Sequence, residues 1–383
     1  MNWKVPLTTI RLGDEEKEAV CRVLDSGWLA MGPEVEAFEH EFAAAHAAQF
    51  AVACSNGTDA LAMAYDAMGA DRGDEVAMPA LTFVASLNVA LRRGEQPILV
   101  DIAAEDDLTL SPADLATKIT PRTRLIVSMP YGGYPPDMES LRRIADHHSI
   151  PLIEDACHAP LVKYQDRYIG TFGDAGCFSF FTNKNITTGE GGMILTNDRA
   201  IAERVRLMRN HGMTRTTRDH YEGAFNQYDV LVAGHNFRMD EMRAAIGRVQ
   251  LRKLPEFNRK RREISARIRT LIQEKCPDLI FPNVGLRDTG ASHHLLAAIL
   301  PKSGPSRETF MRRMTQHGIQ TSVHYRPLHQ FNHTLGIWSD PPRLPNLEAI
   351  ADRLVTLPLG PDFTDEQVEL VAKAAVMSLG GGS

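Results

Sequence analysis

The chain has 383 residues, of which 43% are hydrophobic and 23% charged, the balance of a folded protein and not of a disordered one. Its 42 Lys and Arg stand against 48 Asp and Glu, a formal net charge of −6. That balance argues against nucleic acid as a partner, since proteins that track phosphate backbones carry a basic excess.

The elements follow in chain order. Residues 13–26 read as an amphipathic helix carrying Val20, Val23 and Leu24 at helical spacing, and 35–47 as a second built on Val35, Phe38 and Phe42. From residue 50 the texture changes. Short apolar runs at 50–54, 74–78, 97–102, 125–129 and 151–154 alternate with helical stretches at 59–68, 84–93 and 137–147. That alternation predicts an α/β domain with a mainly parallel sheet. Ligands in such sheets bind beyond the carboxyl ends of the strands, which directs attention to the residues just after each run. A short helix is expected at 241–247, and a long basic one at 251–274. Beyond it, strands at 294–300 and 320–324 and helices at 307–317 and 365–377 predict a small α+β domain. The division expected is a large α/β domain over 1–250 and a small C-terminal one over 251–383. Residues 380–383, Gly-Gly-Gly-Ser, read as a flexible tail.

No apolar run approaches the about 20 residues of a spanning helix, and the first residues lack the apolar stretch of a secretion signal. The five cysteines are scattered, with no CxxC pair. A protein with reduced thiols, in the cytoplasm and away from membranes, is the expectation. GxGxxG, GxxxxGK[ST] and HExxH are all absent, so dinucleotide binding, P-loop hydrolysis and a zincin-type metal centre find no support.

Three features carry chemistry. Ser55-Asn56-Gly57-Thr58-Asp59 lies between a strand and a helix, where free backbone N–H groups and the helix dipole make an anion site. Read alone, it is as well an ordinary helix cap. Asp155 follows the run 151–154, at the ligand-facing end of the sheet; alone it is equally a surface acid. Lys184 sits after the aromatic stretch Phe178-Ser179-Phe180-Phe181 and before Gly189-Glu190-Gly191-Gly192. Desolvation there lowers a lysine's pKa and frees an amine nucleophile. Pyridoxal phosphate needs a phosphate cup, an acid for its ring nitrogen and a lysine for its aldehyde, and this set fits that cofactor better than other common ones.

With these residues stand Ser26-Gly27-Trp28-Leu29, Gly32-Pro33, Thr82-Phe83-Val84-Ala85, Glu154-Asp155-Ala156, His211-Gly212, His235-Asn236-Phe237-Arg238-Met239 and His324-Tyr325 with Pro327-Leu328-His329. In this order they resemble the DegT/StrS sugar-nucleotide aminotransferases, of the fold type I (aspartate aminotransferase-like) architecture, over residues 5–376. The resemblance implies that Lys184 bonds the cofactor's aldehyde and that Asp155 pairs with its ring nitrogen. His158 would stand near its phenolic oxygen and Phe83 would stack on its ring. Thr58, Asp59 and Ser179 would hold the phosphate. Asn236 would reach the phosphate site of a neighbouring subunit, which implies a homodimer with shared sites. Arg238, His324 and Tyr325 would face substrate. The implied reaction moves an amino group, from glutamate in most relatives, to a keto group of a nucleotide-linked sugar. A keto-cyclitol acceptor, or a non-catalytic regulatory protein on the same scaffold, are the other readings the chain leaves open.

Overall fold

The computed structural model describes residues 3–214, 228–285 and 290–380. The glycine-rich tail lies outside them except for Gly380, whose left-handed backbone (φ 91°) closes the last helix.

A seven-stranded sheet forms the centre of the large part. Its strands are β1 (Phe50–Cys54), β2 (Glu75–Pro79), β3 (Gln96–Val100), β4 (Thr123–Ser128), β5 (Leu152–Asp155), β6 (Ala175–Ser179) and β7 (Gly192–Thr196), in the spatial order β1-β7-β6-β5-β4-β2-β3. β7 runs antiparallel to both of its neighbours and the remaining pairs are parallel, so the expected mixed, mainly parallel sheet is present. The strands are short and nearly continuously apolar because helices cover both faces. On one face Phe38, Phe42, Phe178 and Phe180 pack together; on the other, Leu61, Tyr65, Met78 and Leu99 do.

The helices that matter for the site are α1 (Asp14–Ser26), α2 (Pro33–Ala45), α3 (Gly57–Met68) and α4 (Ala85–Arg93). With them come α5 (Glu241–Gln273), α6 (Arg307–Gln316) and α7 (Asp365–Leu379). The expected separate helices at 241–247 and 251–274 are one helix, α5. Gly247 reads as a helix end, yet it is a point of close approach: a Cβ there would lie 2.6 Å from the Phe38 ring. Pro255 lies inside the same helix, whose Leu251 and Leu254 are buried in the large core. Packing therefore overrides the local signals. The N-terminal part of α5 carries Ala245 and Val249, which pack with Ala19 and Val23 of α1. Its C-terminal part carries Ile268 and Ile272, which join a separate core with Phe310, Val355 and Val371. The sequence division at 250/251 thus falls within a continuous helix. Val5, from the other end of the chain, also enters that C-terminal core.

The strand expected at 294–300 forms as β8 (Leu296–Ile299) and pairs antiparallel with β9 (Leu354–Leu357). The strand expected at 320–324 does not form. Gln320 N–H bonds Val5 O at 3.0 Å, while Ser322 and Thr356 exchange bonds at 3.1 and 2.8 Å; the segment divides its backbone between two partners. Among the described residues no helix is long and apolar enough to cross a membrane. The five cysteines are free thiols.

Candidate active site

The parallel strands deliver their carboxyl ends to one edge of the sheet. β5 and β6 pair with Cys177 opposite Asp155, and β6 meets β7 with Ser179 opposite Gly192. The loops beyond that edge enclose a cavity of about 510 Å³. Thr58, Asp59, Phe83, Asp155, His158, Ser179, Lys184, His324 and Tyr325 all line it. They come from segments spread over more than two hundred residues of chain.

The start of α3 forms the floor. Asn56 is its cap, with Oδ1 accepting from Asp59 N–H at 2.9 Å, and Ala60 N–H bonds Asn56 O at 3.1 Å. Gly57 and Thr58 N–H have no partner among the described residues and form the open end of the helix dipole. Gly57 permits the close seat of this turn. A Cβ on it would stand 2.7 Å from Ser179 Cβ and 3.3 Å from Cys157 Sγ. Asp59 differs from its expected use. Its carboxylate accepts from Asn56 Nδ2 at 2.7 Å and from Ser55 Oγ, so it shapes the turn and offers no donor to an anion.

Asp155 ends β5 and is buried, which pushes its carboxyl pKa up against the opposing pull of Cys157 and the Lys184 charge. Burial lowers the Lys184 amine pKa, while Cys157 and Asp155 act the other way. His158 Nε2 and Tyr325 Oη lie 2.9 Å apart. Burial first, then the charges of Lys184 and His324, hold the His158 imidazole well below its ordinary pKa, so it is neutral at pH 7. His324 is lowered to about 4, again by burial and then Lys184. Phe83 stands at the mouth, 53% exposed, its ring 5.9 Å from Tyr325.

Several lining residues went unassigned in the sequence: Thr82, Met129, Asn183 and Glu190. Met129 was open to the strand-end rule, since it directly follows β4. Thr82 Oγ1, His158 Nδ1 and Asn183 Oδ1 are buried atoms without a partner among the described residues, so this wall expects a polar ligand. Asn236 and Arg238 are not part of the cavity. Asn236 is exposed and forms a single antiparallel bridge to Asn210, and Arg238 Nη1 bonds Asn210 Oδ1 at 2.7 Å.

Comparison with known proteins decides the class. Residues 11–376 match the DegT/DnrJ/EryC1/StrS aminotransferase family. The chain belongs to that family. It is 35% identical to the spore coat polysaccharide biosynthesis protein SpsC of Bacillus subtilis (strain 168), over 97% of this chain and 96% of that protein. Among solved structures, it superposes on DesV of S. venezuelae with a TM-score of 0.88 at 33% identity, covering 98% of each chain. Helicobacter pylori PseC, an aminotransferase involved in the biosynthesis of pseudoaminic acid, gives a TM-score of 0.90 at 28% identity, over 98% of this chain and 99% of that one. The protein is therefore a pyridoxal-phosphate-dependent aminotransferase, with the expected fold.

The cavity fits that cofactor. The aminotransferase presents unpaired N–H groups and a glycine cradle at a helix N-terminus, which suit a phosphate. A buried carboxylate suits a protonated ring nitrogen, and a desolvated lysine suits an aldehyde.

Proposed function

We propose that the enzyme transfers an amino group, with glutamate as donor, to a keto group of a nucleotide-linked sugar or deoxysugar. The observation that carries this reading is the convergence of Lys184, Asp155 and the open end of α3 in one cavity. The names of SpsC and PseC support a sugar acceptor, since both are biosynthetic proteins of carbohydrate products.

In this reading Gly57 and Thr58 N–H, with the hydroxyls of Thr58 and Ser179, hold the cofactor phosphate. Asp155 pairs with the ring nitrogen, His158 stands beside the phenolic oxygen and Phe83 covers the ring. When bound, pyridoxal phosphate supplies an electron sink for the carbanion formed at the donor's Cα. The rest is done by the chain's own groups. Asp155, ionised opposite a protonated ring nitrogen, keeps that proton in place; the low-dielectric pocket strengthens the pair. Lys184, as a free amine, would act as the base for the donor's Cα proton, and its lowered pKa favours the neutral state this needs. Lys184 would also return that proton on the cofactor side; water would then release the donor as its keto acid, and the same steps in reverse would pass the amine to the acceptor. His324 and Tyr325, with Asn183 and Glu190, form the wall that meets the second substrate.

The active unit is a homodimer. Asn236 is exposed and lies outside its own subunit's cavity, as a residue that serves a neighbour's phosphate site must be. Arg238 beside it supplies a guanidinium suited to a diphosphate. The test is a half-reaction screen. Enzyme carrying the aminated cofactor is offered keto sugars with and without a nucleotide, and keto-cyclitols. Return of the aldehyde absorbance with a nucleotide-linked keto sugar alone is expected; return only with a keto-cyclitol refutes the acceptor assignment.

A further inference from the structure

Asn185, next to Lys184 and 5% exposed, is the hub of a hydrogen-bond network that the reaction scheme above does not use. Its Nδ2 donates to Ser292 O at 2.9 Å and to Asn258 Oδ1 at 2.9 Å, and its Oδ1 lies 3.0 Å from His294 Nδ1. Asn258, on α5, donates in turn to Pro160 O at 3.0 Å.

These orientations follow from the donor inventory. Pro160 O and Ser292 O are carbonyls and only accept. Asn258 therefore turns Nδ2 toward Pro160 and leaves Oδ1 toward Asn185, and Asn185 must present Nδ2 to both Ser292 and Asn258. Its remaining atom, Oδ1, is an acceptor, so His294 Nδ1 carries the hydrogen. Burial, followed by the neighbouring His158 and Lys184, holds the His294 imidazole well below its ordinary pKa, so the ring is neutral and Nε2 bears the lone pair. The His294 ring lies 4.3 Å from that of His158, whose Nε2 meets Tyr325 Oη.

We infer that Asn185 is a positioning residue for the reaction. One amide fixes the backbone that carries Lys184 to α5 and to the segment before β8, and it sets the tautomer of the imidazole that backs His158. The lysine and the histidine on the phenolic-oxygen side of the cofactor are thereby held by the same side chain. The groups around Lys184 that share its electrostatics are Asp155, Cys157 and His158 from the β5 side, and His294 and His324 from the C-terminal part. Asn185 contributes no charge to them; it sets their geometry.

The inference rests on Lys184 as the cofactor-bearing lysine, and the experiment separates the two. Wild type, Asn185→Asp, Asn258→Ala and the double variant are loaded with pyridoxal phosphate, reduced with borohydride and mapped by mass spectrometry. Label on another lysine in wild type overturns the Lys184 assignment itself. With label on Lys184, the visible band of each protein is titrated with pH, and each is melted. Asn185→Asp removes both donated bonds and adds a charge, so its midpoint rises by about one unit, the scale expected from an adjacent carboxylate. Asn258→Ala adds no charge and lies outside the cavity, yet it releases one of the bonds, so its midpoint also moves. The two shifts are less than additive in the double variant, because they act through one bond. A lower melting temperature with an unmoved midpoint in Asn258→Ala, or strictly additive shifts, overturns the positioning role. If Asn185→Asp does not fold, the midpoint of Asn258→Ala decides alone.

Discussion

Gly57 and Ser179 approach so closely that no side chain fits between them: a Cβ on Gly57 would stand 2.7 Å from Ser179 Cβ. This contact seats the open end of α3 against the end of β6, across the floor of the cavity. Gly57→Ala must push the turn or Ser179 outward by several tenths of an ångström, and overpacking of this kind costs about 1–3 kcal/mol. The displacement falls on the groups proposed to hold the phosphate. Cofactor affinity is expected to drop by about tenfold or more, read as the concentration of pyridoxal phosphate needed to restore the visible band. Unchanged affinity would separate this contact from the phosphate site.

Lys184→Ala is expected to keep the phosphate cup and lose the covalent link. The variant should bind the cofactor as free aldehyde, seen in its absorbance, and turnover should fall by several orders of magnitude, as for other lost nucleophiles. Residual turnover within about tenfold of wild type would move the chemistry to another group.

Asp155→Asn preserves shape and removes the charge proposed to face the ring nitrogen. Asp155 is buried, so the pair it makes is poorly screened, and its loss should cost about 10²–10⁴ in rate. Steady-state kinetics with a saturating donor give the value. Wild-type turnover would show that the carboxylate is not the ring's partner.

Stability carries a pH dependence remote from the cavity. His46 is fully buried, with Nδ1 2.9 Å from Phe42 O and Nε2 accepting from Leu161 N–H at 3.1 Å. A protonated ring would turn an N–H on the Leu161 N–H, and burial lowers the pKa from 6.5 to about 4. The unfolded chain binds this proton first as pH falls. The neutral ring's contribution is therefore complete above pH 6.5 and is lost progressively down to about 4, in total about 3 kcal/mol. Urea unfolding midpoints should fall across that window, and His46→Gln should flatten the slope by about one proton. An equal slope in the variant would assign the proton elsewhere.

The sequence made the cavity legible because its residues sit at strand ends. The apolar runs stop at Ser55, Pro79 and Asp155, and each stop delivers a lining or flanking residue. Pattern reading failed where distant packing decided. Gly247 looked like a helix end because the Phe38 ring that needs its missing Cβ lies in another helix, far back in the chain. Residues 320–324 read as a strand, but no single neighbour runs beside them long enough to pair: Gln320 bonds Val5 and Ser322 bonds Thr356. The role of Asp59 was drawn from its place in the cup, and only the bonds to Ser55 and Asn56 turn its carboxylate away from an anion. Asn185 was visible as a polar residue beside a lysine, while its partners lie 73, 107 and 109 residues away.

Asn236 tests the assembly. The segment 235–238 rests on its own subunit: His235 N–H bonds Met208 O at 2.7 Å, and Phe237 O accepts from Ser55 N–H at 2.9 Å, beside the turn that opens α3. Asn236 is nevertheless exposed and outside its own cavity. The segment is thus fixed by one subunit's turn while its asparagine remains available to a second copy, and a two-fold dimer would contain two such composite sites. Asn236→Asp should repel a phosphate and inactivate the homodimer, and Lys184→Ala should inactivate it by losing the nucleophile. Mixed and allowed to exchange subunits, the two form a heterodimer in which one site carries both defects and the other carries neither. Activity should return, to at most about half of wild type per heterodimer. No recovery, given proven exchange and an inactive Asn236→Asp homodimer, would place Asn236 in the service of its own subunit's site and remove the shared-site reading.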